Sequence, residues 1–325
     1  MELEAGVQQI EETRCKKTIK VHLLEFWEQR DLQLMVVPWI LFIVIFCYVP
    51  MYGVILAFQN YNMGDLPGVS QWVGVKHFVL FFQSTEFPII MRNTFAISIL
   101  KLLICFPVPI ILAILLNEVR RMSFKRTIQT ISYLPHFVSW VVVAGLTFDF
   151  LSIDGGVVNS LLQYLGLIKE PIVFMGEPGY FWGITVLTDL WKELGWNAII
   201  YIAAIASINP ELYEAAEIDG AGRFNKIWNI TLVGIKPTII ILLILAISNL
   251  LNAGFEQILI LTNNLNNSSV QDVSEIIETY VYRVGIRDLR YSYATAAGLF
   301  KSVFCIVLLT AANYTAKKLG EESLW

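Results

Sequence analysis

Charge is what this chain has least of. Lys, Arg, Asp and Glu together make up 15% of its 325 residues, against roughly 25% in a typical soluble domain. Hydrophobic residues make up 56% and the mean hydropathy is +0.61. So few charges cannot cover the apolar surface of a soluble fold, which excludes a soluble globular domain, a disordered chain and a soluble coiled coil. The formal net charge of −4 leaves no basic footprint for DNA or RNA, so no nucleic-acid partner is expected. Histidine is scarce: His22, His77 and His136 are too few and too scattered for a metal cluster. None of the four cysteines (Cys15, Cys47, Cys105, Cys305) forms a CxxC pair. Three of them sit in apolar stretches, so neither a zinc site nor a disulfide frame is implied. A phosphate-binding G-x-x-x-x-G-K-[ST] loop is missing as well. Gly298-Leu299-Phe300-Lys301-Ser302 ends like one, but it has a single glycine and lies in an apolar run. No nucleophile–base pair stands out, and no catalysis by this chain is expected. The first apolar run begins only near Leu34 and is too long for a cleavable signal.

What the chain does have is long apolar runs. A bilayer core about 30 Å thick needs roughly 20 mainly apolar residues in a helix. Six stretches qualify: Leu34–Phe58, Thr94–Leu116, Ile128–Leu151, Phe181–Ala206, Pro237–Leu261 and Ala294–Ala316. Open sheets cannot span a bilayer, and the runs are too uniformly apolar for barrel strands. The expected fold is therefore all-α: a polytopic membrane protein of six transmembrane helices over 34–316, in contact with membrane lipid. A cytoplasmic segment over 1–33 precedes it and a cytoplasmic tail over 317–325 follows. Interior prolines (Pro50, Pro107, Pro109, Pro135) are read as kinks. Lys and Arg flanking the spans divide fourteen against six. The richer side holds the N-terminal segment (Arg14, Lys16, Lys17, Lys20, Arg30), Arg120–Arg126, Arg223–Lys236 and Lys317–Lys318, which places both termini in the cytoplasm. On the outer side, Val75–Phe82 reads as an interfacial helix, Asp154-Gly155-Gly156 as a turn and Thr262–Asp272 as a loop.

The most specific signal lies in the loop between spans four and five, about 207–236. It reads Glu214-Ala215-Ala216-Glu217-Ile218-Asp219-Gly220-Ala221-Gly222-Arg223-Phe224, then Ile230-Thr231-Leu232. Pro210–Ile218 is a helix with proline early and acids in its first turns. Gly220 and Gly222 break it, and a second helical stretch follows. From the residues alone this is either a docking element or an ordinary inter-helix loop. Glu-Ala-Ala-x-x-Asp-Gly-Ala followed by Ile-Thr-Leu closely resembles the EAA motif of binding-protein-dependent ABC importer permeases. Tyr48-Val49-Pro50-Met51-Tyr52-Gly53, Leu134-Pro135-His136-Phe137, Gly195-Trp196-Asn197-Ala198 and Ala297-Gly298-Leu299-Phe300 extend the resemblance. It points to the carbohydrate branch that includes alginate and aldouronate oligosaccharide permeases. Val233 replaces the family's usual proline, and Ile227 stands where an aromatic is frequent. Pro237 is expected to start span five instead. The resemblance implies a type I importer permease whose coupling helix, with Glu214, Ala215, Ala216, Asp219, Gly220 and Arg223, meets a cytoplasmic ATPase. It also implies a second homologous permease, two ATPase subunits holding ATP and Mg, and an extracytoplasmic solute-binding protein. The implied location is the bacterial cell membrane.

Charges inside spans are functional suspects. Span four carries Asp189, Trp191, Lys192, Glu193, Trp196 and Asn197. A solute path there would stack sugar rings on tryptophan faces and bond hydroxyls to polar groups. The bland alternative is an i,i+3 pair, Asp189–Lys192. Span five carries Asn249, Asn252, Glu256 and Gln257, with Asn249, Asn252 and Glu256 spaced to share one helical face. That face turns either to the path or to a partner permease. Lys101, Lys192 and Lys301 also lie within spans. Either they pair with Asp149, Asp189, Glu193 or Glu256, or Lys301 faces the path and attracts an acidic oligosaccharide such as alginate. Two other classes stay open: an ion-coupled secondary transporter, although no internal repeat is visible, and a non-transporting membrane scaffold, which would need no polar stripe.

Overall fold

The computed structural model describes residues 29–65 and 68–325. Most of the expected N-terminal segment, with Arg14, Lys16, Lys17 and Lys20, lies outside the described residues. Contacts divide the chain into Met1–Ile55 and Leu56–Trp325. Every regular element among the described residues is helical, apart from one isolated bridge between Gln59 and Trp72.

The first apolar run forms α1 (Arg30–Phe58). It loosens into a π turn at Val44–Tyr48 and tightens to a 3-10 helix from Tyr52. The change of pitch brackets Pro50, which has no N–H to donate. None of its residues from Arg30 to Met51 is buried. A helix apolar all round belongs against lipid or other protein rather than water.

In the second unit the elements are α2 (Lys76–Gln83), α3 (Phe87–Glu118), α4 (Met122–Phe137), α5 (Trp140–Phe150), α6 (Val157–Tyr164) and α7 (Pro178–Ala206). There follow α8 (Pro210–Ile218), α9 (Arg223–Ser248), α10 (Phe255–Leu261), α11 (Ile277–Tyr282) and α12 (Tyr291–Lys318). Among the described residues four helices, α1, α3, α9 and α12, are long and apolar enough to cross a bilayer, and the bent pair α4–α5 makes a fifth if it is one span. The helix α7 has the length, 29 residues, but Asp189, Lys192 and Glu193 stand in its middle. The expected six spans are reached only by including it.

Proline and glycine explain the breaks. The helix α3 is interrupted at Cys105 and Phe106, just before Pro107. The expected third span is two helices meeting at 103°. Leu134–Phe137 winds as a 3-10 turn around Pro135, and Ser139 caps α5 by accepting from the Val142 amide at 3.5 Å. The expected fifth span, Pro237–Leu261, is displaced. The helix α9 begins fourteen residues earlier, at Arg223, passes through Pro237 and stops at Ser248. Five residues then break the helix before Gly254, at φ +109°, starts α10. Asn249, Asn252 and Glu256 therefore do not share a helical face, because the periodicity that would align them is interrupted.

Three apolar clusters hold this unit together. Ile97, Ala144, Phe181, Ile258 and Leu261 join α3, α5, α7 and α10. Phe81, Ile90, Ile277, Tyr280, Tyr293 and Ala297 join α2, α3, α11 and α12. Ile110, Ala113, Tyr201, Ile205 and Ile235 join α3, α7 and α9. The second cluster is clamped by Arg283, which reaches Glu275 at 2.6 Å and Glu86 at 2.9 Å. Those two carboxylates, with their hydrogen bonds to Arg283, hold the guanidinium above its ordinary pKa despite its burial, so it stays charged.

Candidate functional site

Two polar regions stand out. The first is the α8–α9 turn. Asn209 caps α8 by accepting from the Glu211 amide, and Pro210 occupies the first turn, where a missing N–H costs nothing. Gly220 turns the chain in the left-handed region at φ +76°, which an L side chain adopts only with strain. Tyr213 and Thr231 share a hydroxyl–hydroxyl bond of 3.0 Å, and Glu217 meets Lys226 at 3.5 Å, so α8 is tied to the start of α9. No residue of α8 is buried. Ile218 and Phe224 are 87% and 89% exposed. Behind the turn, a cavity of about 410 Å³ is lined by Arg120, Tyr213, Arg223 and Lys226.

The second region lies among the spans. Lys101 Nζ on α3 donates to Asp189 Oδ1 on α7 at 2.9 Å and to Gln257 Oε1 on α10 at 2.7 Å. Gln257 in turn donates to the Thr185 carbonyl and to Thr188 Oγ1. Gly254 lies against the Lys101 amine: a Cβ there would stand 2.9 Å from Nζ. One turn along α7, Lys192 donates to the His136 carbonyl and lies 3.5 Å from Glu193. His136 Nδ1 meets Glu193 Oε2 at 2.7 Å. The His136 ring stacks on Trp196 with centroids 4.2 Å apart. Beside the lysine cluster, a cavity of about 230 Å³ is lined by Ser98, Lys101, Asn197, Asn249 and Asn252 among others. Charged and amide groups that are paired or face a cavity are how a bilayer-spanning bundle tolerates polarity.

The family described as "Binding-protein-dependent transport system inner membrane component" matches residues 105–321. That covers most of the chain, including the α8–α9 turn and the polar residues of α7 and α10. The chain belongs to this family of transport permeases. Among relatives of the permease, Protein LplB of Bacillus subtilis (strain 168) is 48% identical over 294 residues, 90% of this chain and 91% of that one. The polygalacturonan/rhamnogalacturonan transport system permease protein YteP of the same organism is 44% identical over 312 residues, 95% of each chain. The crystal structure of a bacterial ABC transporter involved in the import of the acidic polysaccharide alginate superposes with a TM-score of 0.82. It is 40% identical and covers 91% of this chain and 98% of that one. A second structure, the bacterial alginate ABC transporter in complex with an alginate pentasaccharide-bound periplasmic protein, gives 0.83 at 39% identity, over 92% and 98%. The permease is thus an all-α, multi-pass membrane protein of a transport system. Neither the secondary-transporter nor the scaffold reading fits this membership.

The permease sorts the sequence-derived candidates into groups. Glu214, Ala215, Ala216, Asp219, Gly220 and Arg223 all fall on α8, its turn and the first residue of α9. Asn197, Asn249 and Asn252 come together around one cavity, although not through a shared helical face. Asp189 anchors Lys101 rather than pairing with Lys192 at i,i+3, because the α3 lysine reaches it from across the bundle. Glu193 and Trp196 are engaged with His136, which takes one face of the indole. Trp191 lines a separate apolar cavity of about 270 Å³ with Val143, Phe150 and Leu187. Glu256 and Asp149 are exposed and form no ion pair among the described residues. Lys301 pairs with Glu278 at 2.6 Å, a partner outside the four acids expected. Its charge is therefore neutralised by α11. Ser98, Lys101, His136 and Gln257 belong to these polar clusters but are absent from the path residues expected from the sequence. For Lys101 the signal was present, a charge deep in an apolar run; for Ser98 nothing in the sequence marks it.

Proposed function

We propose that this chain is the transmembrane permease subunit of an ABC importer for an oligosaccharide, of the acidic, uronate-bearing kind. In this reading it forms part of the solute path and couples passage to ATP hydrolysis in a partner ATPase. A second homologous permease, two ATPase subunits holding ATP and Mg, and an extracytoplasmic binding protein complete the assembly. The α8–α9 turn faces the cytoplasm, as do both termini, in keeping with the fourteen Lys and Arg on that side. The substrate class is supported by relatives concerned with polygalacturonan and alginate, and the binding protein by the alginate importer's periplasmic component. The cavity of Asn197, Asn249 and Asn252 offers amides suited to sugar hydroxyls.

The observation that carries the coupling role is the α8–Gly220 turn, rigidly tied to α9 yet with no residue of α8 buried. A groove on an ATPase would cover Ile218 and Phe224, which are otherwise exposed apolar side chains without a purpose. The test is a purified importer carrying Gly220→Pro or Glu214→Lys, assayed for ATP hydrolysis and for oligosaccharide uptake. Uptake falls at least about tenfold, through uncoupling or loss of the ATPase from the complex, while the spans still insert. Full-rate uptake by the double variant would sink the coupling role.

A further inference from the structure

The cavity beside Lys101 is electrically one-sided. Lys101 lines it, but its partner Asp189 does not, and no acidic residue does. Lys101 spends two of its three N–H groups on Asp189 Oδ1 and Gln257 Oε1, leaving a third donor. The remaining polar walls are the neutral amides of Asn197, Asn249 and Asn252. An ammonium donor and three amides around about 230 Å³ suit one sugar ring rather than a whole oligosaccharide. Pockets for larger ligands run from roughly 300 Å³ upward.

The geometry points to a carboxylate subsite: Lys101 Nζ binds the carboxylate of a single uronate unit while the asparagines take its hydroxyls. This rests on the reading of the cavity as part of the solute path and assigns the charge selectivity to Lys101 rather than Lys301. Lys301 is spent on Glu278, whereas the positive end of the Lys101–Asp189 pair faces the cavity. Asp189 on the far side holds the amine in place through its 2.9 Å hydrogen bond.

The test uses the assembled importer in proteoliposomes, with a uronate oligosaccharide and its methyl ester as probes. Uptake is normalised to binding-protein-stimulated ATP hydrolysis, which reports assembly. Two variants are compared: Lys101→Gln with Asp189→Asn, which removes both charges but keeps hydrogen-bonding groups, and Asn197→Asp, which adds a negative wall at nearly constant shape. In each, the ratio of acid to ester uptake falls about tenfold, the scale of one lost charge-assisted hydrogen bond. An unchanged ratio in Asn197→Asp overturns the subsite even where the double variant does not assemble. A third variant, Asn249→Ala with Asn252→Ala, separates the two readings. If it leaves uptake of both probes intact, the cavity is not on the path. If it lowers both while the ratio stays fixed in the charge variants, the path stands and the carboxylate subsite falls.

Discussion

Gly195 on α7 crosses Ser132 on α4 backbone to backbone: a Cβ on Gly195 would stand 2.1 Å from the Ser132 carbonyl oxygen and 2.3 Å from its carbon. No such contact is possible, so the two helices sit this close only because residue 195 is glycine. Small residues at such crossings let membrane helices pack by van der Waals contact. The crossing also sets the distance over which Lys192 reaches the His136 carbonyl and Glu193 reaches His136.

Gly195→Ala forces α4 and α7 apart. Overpacking of this kind costs about 1–3 kcal/mol. The expected outcome is a lower midpoint of thermal unfolding in detergent and reduced uptake, since the Glu193–His136–Trp196 stack moves with the helix. A thermal midpoint equal to the parent's would show that the bundle absorbs the methyl group elsewhere.

Gly254→Ala fails for two separate reasons. Its φ of +109° is disallowed to an alanine, and the new methyl would meet Lys101 Nζ at 2.9 Å and Gln257 Oε1 at 3.0 Å. Left-handed backbone at a non-glycine residue costs on the order of 1–2 kcal/mol, and displacing the amine weakens the Lys101–Asp189 pair. Limited proteolysis should cut the 249–254 break faster in the variant than in the parent. Equal cleavage rates would argue that the break is already open.

His77 on α2 makes the fold pH-sensitive. It is 8% exposed; Nε2 lies 3.1 Å from the Gln59 carbonyl, and Nδ1 has no partner. Burial pushes its pKa below the ordinary 6.5, with Lys76 and Arg290 adding to the shift. The folded state thus holds the neutral ring while the unfolded chain takes up a proton below 6.5. Stability is full above that pH and declines as pH falls through and below it. His77→Gln keeps a donor for Gln59 without the titration. Unfolding midpoints measured from pH 7.5 to 5 should fall more steeply in the parent than in this variant, and parallel curves would remove His77 as the cause.

Some of this protein was legible one residue after another. Apolar runs such as Ala294–Ala316 mark spans because a bilayer offers no partner for exposed backbone and demands a continuous apolar helix of minimum length. The observed helix, Tyr291–Lys318, exceeds that run by two or three residues at each end. The α8–α9 turn was legible for a similar reason. Its proline and its glycines lie within a dozen or so residues, where local geometry decides conformation. The length of span five was not legible. Hydropathy continues through Leu250 and Leu251, and only the structure shows the helix ending at Ser248, with Gln257 carried back on α10 to Lys101.

Charge pairing was the tertiary structure's decision throughout. Lys101 and Asp189 are 88 residues apart in sequence, and Lys301 found Glu278 rather than any acid inside a span. A buried ammonium requires a counter-charge, and the sequence alone states that requirement at Lys101, Lys192 and Lys301. Which carboxylate meets it depends on which helices become neighbours. That was settled by apolar packing: the α3, α5, α7 and α10 cluster of Ile97, Ala144, Phe181 and Ile258. It brings Lys101 to Asp189 and leaves Glu256, one residue from Gln257, facing outward.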